Sequence, residues 1–451
     1  MQRPSATVAV AALLAACSGP PAPASPAPAP VSSGSAPAPA PAPVSSGSAP
    51  APAPAPPASP AIAEPAPIAA PAPPPPVAPP PDAKGLRFQR ACAAGDTITI
   101  AAVGDLLLHH ELQIQAYAAT DNFLSVWGEV DDLLALADIS YANLEGATAA
   151  GLNRKGVAVK DPGRVFDRVV YSTYPRFNYH PSLLDDLVTS GVDVVSTANN
   201  HSLDREPAGV DATIAALDRV GLAHTGTRAR AGTGPWHAIT RAKGVTVAWL
   251  ACTYGTNGIP DPDGQVLGCY APEGALEQQV RALAADPTID AVIVTPHWGK
   301  EYKPRPDRAQ QALARRLADA GATAVIGSHP HVLQTWEAIT AADGREVPVM
   351  YSLGNFASHQ PELPRRSSMI LYLGLTRPPG HKAHVHGVRY VPLHVRNAGD
   401  QYFVEAIDRA GGPADSRALT VGVFGEAAVL KPGEPLATRP ACPEPPVPAD
   451  R

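Results

Sequence analysis

The chain has 451 residues, 54 of them proline, and only 17% are charged, against about 25% in an ordinary globular chain. Its formal net charge is −6 at pH 7 and no Lys/Arg run is sustained, which argues against nucleic acid as a partner. Beyond the first residues there is no run of about 18 apolar residues, so no transmembrane helix is predicted after a leader.

The opening stretch, MQRPSATVAVAALLAACSGP, has an early Arg3, an apolar run and small residues before Cys17. This is the anatomy of a secretory signal peptide rather than a spanning helix. Leu14-Ala15-Ala16-Cys17 resembles the lipobox of bacterial lipoproteins. That resemblance implies acylation of Cys17 at the mature N-terminus, export, and lipid anchoring to a membrane, with Ser18 compatible with sorting to an outer membrane. Residues 18–90 are rich in Ala, Pro, Ser and Gly, with VSSGSAPAPAPAP starting at Val31 and again at Val44. Such a tract cannot bury a core; it is expected to be disordered and extended, about 3 Å per residue, and to act as a spacer.

Structure is expected from Asp96. Strands are predicted at Thr97–Val103, Ala137–Asn143, Val192–Thr197, Val245–Cys252, Ala291–Thr295, Thr323–Ile326 and Val347–Ser352. Helices are predicted near Val126–Leu136, Leu183–Ser190, Gly209–Val220 and Ala309–Ala320. Short apolar strands alternating with amphipathic helices indicate an α/β domain with helices on both sheet faces. After Arg396 the signals weaken, so 397–451 reads as an extension whose end, Pro432–Arg451, is a disordered tail. Export favours disulfides among Cys92, Cys252, Cys269 and Cys442. Cys252 with Cys269, flanking a turn cluster, is one plausible pair, and Cys92 with Cys442 could staple the domain ends. Spacing leaves three pairings open.

In open α/β sheets ligands gather beyond the carboxyl ends of strands. Five predicted strand ends finish in metal-capable residues: Gly104-Asp105, Asn143-Leu144-Glu145, Asn199-Asn200-His201, His297-Trp298 and Ser328-His329-Pro330-His331. One strand-end histidine is usually a surface or core residue; the same chemistry at five successive ends points to a site. Carboxylates, imidazoles and an amide suit a divalent ion such as manganese, zinc or iron.

These motifs, followed by Tyr351-Ser-Leu-Gly-Asn-Phe356, are in an order similar to that of the CapA (poly-γ-glutamate capsule synthesis) family, a relative of the calcineurin-like metallophosphoesterases. The likeness runs over residues 96–396. It implies a four-layer α/β/β/α sandwich and two divalent metal ions. Asp105 and His331 would hold one ion, Asn200, His297 and His329 the other, and Glu145 would bridge them. His201 would be the acid or transition-state stabiliser that binds no metal. Independently of the resemblance, Asp204, three residues on, is placed to orient His201 if a helix starts there, or else is a helix-start carboxylate serving the dipole. One departure concerns the first motif: the phosphoesterases read Asp-x-His, but Leu107 stands at the His position, and His109 is the candidate substitute. The resemblance further implies a metallophosphoesterase-like hydrolase acting in capsule polymer biosynthesis or export. Its partners would be an anionic surface polymer or a phosphorylated small substrate, together with other capsule-synthesis components of the membrane. The alternatives are a polyanion-binding lipoprotein without catalysis and a metallophosphoesterase unrelated to capsule. The stretch from Asn153 to His180, with Arg154, Lys155, Lys160, Arg164, Arg168 and Arg176 among five aromatics, reads either as a cationic wall over the cleft or as a solvated loop packed on its rings.

Overall fold

The structure, a computed structural model, describes residues 85–442 apart from 231 and 233. The lipobox with Cys17, the Ala/Pro tract up to residue 84 and the end of the tail from 443 lie outside the described residues.

Fourteen strands are described: β1 (Asp96–Leu107), β2 (Ile139–Leu144), β3 (Val194–Ser196), β4 (Ala223–Thr225), β5 (His237–Ala242), β6 (Val245–Thr253) and β7 (Ala291–His297) come first. They are followed by β8 (Ala324–Ile326), β9 (Leu333–Thr340), β10 (Glu346–Leu353), β11 (Asn355–Ser358), β12 (Ser367–Arg377), β13 (His384–Ala398) and β14 (Gln401–Ala406). One sheet has the order β14-β13-β12-β1-β2-β3-β4, with β11 also paired to β1; the other has the order β5-β6-β7-β8-β10-β9. β1 to β4 run parallel, as do β6, β7, β8 and β10.

The period-2 pattern of β1 explains the layering. Ile98, Ile100 and Ala102 face the core between the sheets, where they join Val247, Trp249, Ile293 and Met350. Ala101 and Val103 face the opposite side, against the helices His110–Ala118, Ser182–Thr189 and Glu206–Val220 through Leu112, Leu183, Leu187 and Leu217. On the far side of the second sheet, Ala275–Ala285 and Arg308–Ala320 bury Leu276, Val280, Leu313 and Leu317. Tyr141 and Trp249 stack across the middle, with centroids 5.4 Å apart and planes within 4°. The result is the four-layer α/β/β/α sandwich.

Both ends of the domain extend past the sequence-based boundaries. Phe88 and Ala91 are buried in the inter-sheet core, so the spacer stops short of residue 90. Beyond Arg396, β14 pairs with β13 over six residues, and Phe424 of the helix Ala414–Phe424 is fully buried. The segment lacks a readable pattern because that helix buries Ser416, Thr420 and Phe424, a mostly polar stripe, and because β14 is an edge strand. The predicted helix near Val126–Leu136 is instead two single turns, Leu124–Trp127 and Asp131–Leu134. Gly128 ends the first, its N–H closing on the Leu124 carbonyl at 2.7 Å. Cys92 is bonded to Cys442 and Cys252 to Cys269, which selects one of the three pairings.

Candidate metal centre

The carboxyl ends of the parallel strands in both sheets open on the same cleft. Asp105 lies near the end of β1 and Glu145 just past β2; both are fully buried. Asn200 and His201 follow β3, His297 ends β7, and His329 and His331 follow β8. The backbone is tightly constrained here. A Cβ on Gly104 would lie 1.8 Å from the Gly354 carbonyl, the same oxygen that accepts the Asp105 N–H at 3.0 Å. Only glycine lets β1 and the turn before β11 approach so closely. His329 and His331 both have positive φ, 97° and 57°, a conformation that costs about 1–3 kcal/mol and persists only where surroundings enforce it.

Three groups of side chains each bring their ligand atoms within 4.8 Å of one another: Glu145, His297 and His329; Asp105, Glu145 and His331; and Glu301, His329 and His331. The first two share Glu145. His297 Nε2 lies 2.9 Å from Asn200 Oδ1, 3.1 Å from His329 Nδ1 and 3.5 Å from Glu145 Oε1. His331 Nδ1 sits 3.1 Å from Asp105 Oδ2, and its Nε2 3.8 Å from Glu145 Oε1. Surrounding groups fix these rings. His297 Nδ1 meets Ser328 Oγ at 2.9 Å, and His331 Nδ1 meets Asn355 Oδ1 at 3.0 Å. Asn143 donates to Asp105 Oδ1 at 2.8 Å.

Polar atoms here face one another with no proton enough to go round. Both carboxylate oxygens of Glu145 are buried without a hydrogen-bond partner, an arrangement that ordinarily costs several kcal/mol. Burial, then the Asp105 charge, pushes Glu145 well above the usual carboxylate range. Burial and neighbouring imidazoles push His297 and His329 well down. Burial opposes a charge on His331, but Glu145 and Asp105 prevail and take it up to about 9. A divalent cation would satisfy this donor set, since it needs deprotonated carboxylates and neutral imidazole nitrogens.

His201 stands beside the centre with its Nδ1 2.7 Å from Asp204 Oδ2. The same oxygen accepts the Phe177 N–H at 2.5 Å, and the Phe177 ring meets His201 edge-on, centroids 4.8 Å apart. A turn brings Asp204 to His201; the helix begins only at Glu206. His109 belongs to none of the three ligand groups. Its Nδ1 lies 2.9 Å from the Leu107 carbonyl and 3.2 Å from the His359 N–H, and burial pushes it down to about 4. Leu107 itself packs in the helix-side core. Of the stretch before His180, Tyr171, Phe177 and Tyr179 are buried, Arg176 pairs with Glu206 at 2.6 Å, and Arg154, Lys155, Lys160 and Arg164 are exposed.

The sequence alone assigns no role to Asn143 or Ser328, and leaves Glu301, in Lys300-Glu301-Tyr302 after the His297 motif, as a residue that touches substrate or simply shapes its loop. Asn143 and Ser328 stand inside the quoted motifs, whereas Glu301 follows His297 by four residues in a loop.

A family model described as "Bacterial capsule synthesis protein PGA_cap" matches residues 99–360. The capsule biosynthesis protein CapA of Bacillus anthracis is 27% identical over 331 residues, covering 70% of this chain and 71% of that protein. The PGA biosynthesis protein CapA of Bacillus subtilis (strain 168) is 30% identical over 201 residues, 41% of this chain and 47% of that protein; the chain thus spans about half the length of this second relative. Among solved structures, NAD nucleotidase of Haemophilus influenzae overlays 75% of this chain and 57% of that chain at 10% identity and a TM-score of 0.41. A phosphatase of Mycoplasma pneumoniae overlays 67% of this chain and 95% of that chain at 12% identity and 0.39. With more than half its length matched in motif order, the chain belongs to the PGA_cap family of bacterial capsule synthesis proteins.

Proposed function

We propose that this protein is a metal-dependent hydrolase of capsule polymer production, held at the cell surface by a lipid on Cys17 and a proline-rich spacer. Its substrate would be poly-γ-glutamate, a comparable anionic polymer, or a phosphorylated small molecule. The observation that carries the reading is Glu145: a carboxylate with both oxygens buried and unpartnered, shared by two ligand groups. Asp105 and His331 would hold one divalent ion, Asn200, His297 and His329 the other, with Glu145 between them. Two such ions supply an activated water and charge neutralisation at the attacked centre. His201 gives its Nδ1 to Asp204, which leaves Nε2 as the nitrogen that can pass a proton to a leaving group. Burial of Asp204 and its second bond to the Phe177 N–H fix that ring in place.

A polyanion-binding protein without catalysis is the second reading, favoured by Leu107, which removes one ligand from the Asp105 side. Metal content and turnover of the purified full chain together separate the two. About two equivalents of manganese, zinc or iron, reduced in His297→Ala, together with turnover of a phosphoester or γ-glutamyl amide, support the hydrolase. Two equivalents without turnover of either substrate class favour the binding protein. No bound metal after reconstitution refutes the dinuclear centre.

A further inference from the structure

We propose that Glu301 is a metal ligand that closes the solvent side of the centre, beside His329 and His331. The inference rests on the dinuclear reading above and deepens it. Without a histidine at position 107, the Asp105 side has Asp105, His331 and the shared Glu145, and His109 stands outside the three ligand groups with its Nδ1 beside backbone groups. Glu301 is the remaining carboxylate whose oxygen comes within 4.8 Å of ligand nitrogens of His329 and His331. It is also the one exposed residue of that group, so it approaches from the cleft mouth, where the buried ligands leave the centre open.

The loop that carries it is pinned on every side. Trp298 donates from its backbone to the Ser328 carbonyl at 3.1 Å and from its indole to the Tyr351 carbonyl at 3.0 Å. A Cβ on Gly299 would lie 2.5 Å from the Gln310 side chain, and Gln310 is locked by a reciprocal capping box with Asp307. The Tyr302 N–H donates to the Pro330 carbonyl at 2.7 Å, inside the Ser-His-Pro-His turn. The Arg365 guanidinium lies 3.5 Å over the Tyr302 ring, a cation–π contact. Tyr302 itself has φ +62°. Like His329 and His331, it is held in a strained conformation at the same cleft, which is where such strain serves positioning. A solvated carboxylate on an ordinary loop needs none of these restraints. A carboxylate oxygen is moreover a suitable donor for manganese, zinc or iron.

The test uses the metal-stripped full chain and Mn²⁺ alone, with bound ions counted by equilibrium dialysis and metal–metal coupling followed by electron paramagnetic resonance. Wild type is expected to bind two ions with a coupled spectrum. Glu301→Gln should keep one ion and bind the second at least about 10–100-fold more weakly, the loss that even an outer-shell partner costs, with loss of the coupled signal; Glu301→Asp should recover part of it. Because Glu301 is exposed, its unfolding midpoint should match wild type, which separates a ligand effect from misfolding. Two ions bound by Glu301→Gln as tightly as by wild type overturn the proposal and leave the dinuclear reading standing. A wild type that binds no Mn²⁺ refutes both.

Discussion

Acidification should unfold this domain through two histidines remote from the metal centre. His386 and His394 are 4% and 2% exposed, and both are pushed down to about 4, mainly by burial. His394 Nε2 lies 3.0 Å from an Arg366 Nη2; since guanidinium can only donate, that nitrogen must be unprotonated. His386 bridges Thr376 Oγ1 at 2.9 Å and Thr438 Oγ1 at 2.8 Å, with Arg439 and His384 as its charged neighbours. Glu405, opposite His394 in the sheet, is taken by Arg396 at 2.7 Å. A histidine with a lowered folded pKa leaves the unfolded chain binding more protons, so stability is full above pH 6.5 and falls as pH drops towards 4. At pH 5 the linkage amounts to about 2 kcal/mol for each ring, about 4 kcal/mol for the pair, enough to lower a urea midpoint by about 1 M or more. The metal-facing imidazoles titrate too, so the measurement is the difference between wild type and His386→Gln/His394→Gln across pH 7 to 4.5. A glutamine oxygen at 394 can still accept from Arg366. The double variant should lose a smaller share of its pH 7 stability by pH 5. Equal slopes for the two proteins would refute the linkage.

The two disulfides should part company under mild reduction. Cys92 and Cys442 are exposed, whereas Cys252 and Cys269 are 0% and 2% exposed. Alkylation and peptide mass mapping after brief dithiothreitol treatment should therefore label Cys92 and Cys442 first. Because that bond spans 350 residues, chain entropy sets an upper bound of about 6 kcal/mol on the stability lost. Labelling of Cys252 first would contradict the burial argument. For the leader, expression in a bacterial host with radiolabelled palmitate should mark the wild type and leave Cys17→Ser unlabelled; equal labelling would remove Cys17 as the anchor.

Much of the domain was legible because its central strands, such as β1 to β3 and β6 to β8, are parallel and largely buried on both faces. Runs such as Val247 to Ala251 or Ala291 to Val294 read as apolar without alternation, as central strands should, and each was followed by a turn bearing a polar side chain. The same feature exposed most of the centre, since side chains at the carboxyl ends of such strands converge by topology. What escaped includes β9 and β12, although Met369 to Leu373 of β12 is a plain apolar run, and also structure without a hydrophobic signal. The helix Ala414–Phe424 docks through Ser416 and Thr420, with Ser416 Oγ 2.7 Å from Ser367 Oγ, and no apolar period betrays it. The tail up to Cys442 is held by polar bonds from Thr438 and Arg439 and by one disulfide. Nor does sequence spacing separate His109 from Glu301 as ligand candidates. Both stand near a motif, and only the fold groups Glu301 with His329 and His331 while leaving His109 outside the groups.

That contrast bears on how Glu301 is held. A ligand on β1 would be fixed by the strand itself, rigid but enclosed. A ligand from the loop after β7 must be held by other means, and the loop shows them: the Gly299 contact with Gln310, the Tyr302 bond to Pro330 and the Arg365 stack. Each of these ties the loop to another part of the cleft. Gln310 also donates to Gln334 Oε1 at 2.9 Å, and Gln334 to the Lys303 carbonyl at 2.8 Å, so the capped helix, β9 and the loop form one polar frame. A carboxylate on such a frame reaches towards His329 and His331 while staying in contact with solvent. A molecule entering the cleft would therefore meet Glu301 before any of the buried side chains grouped with it.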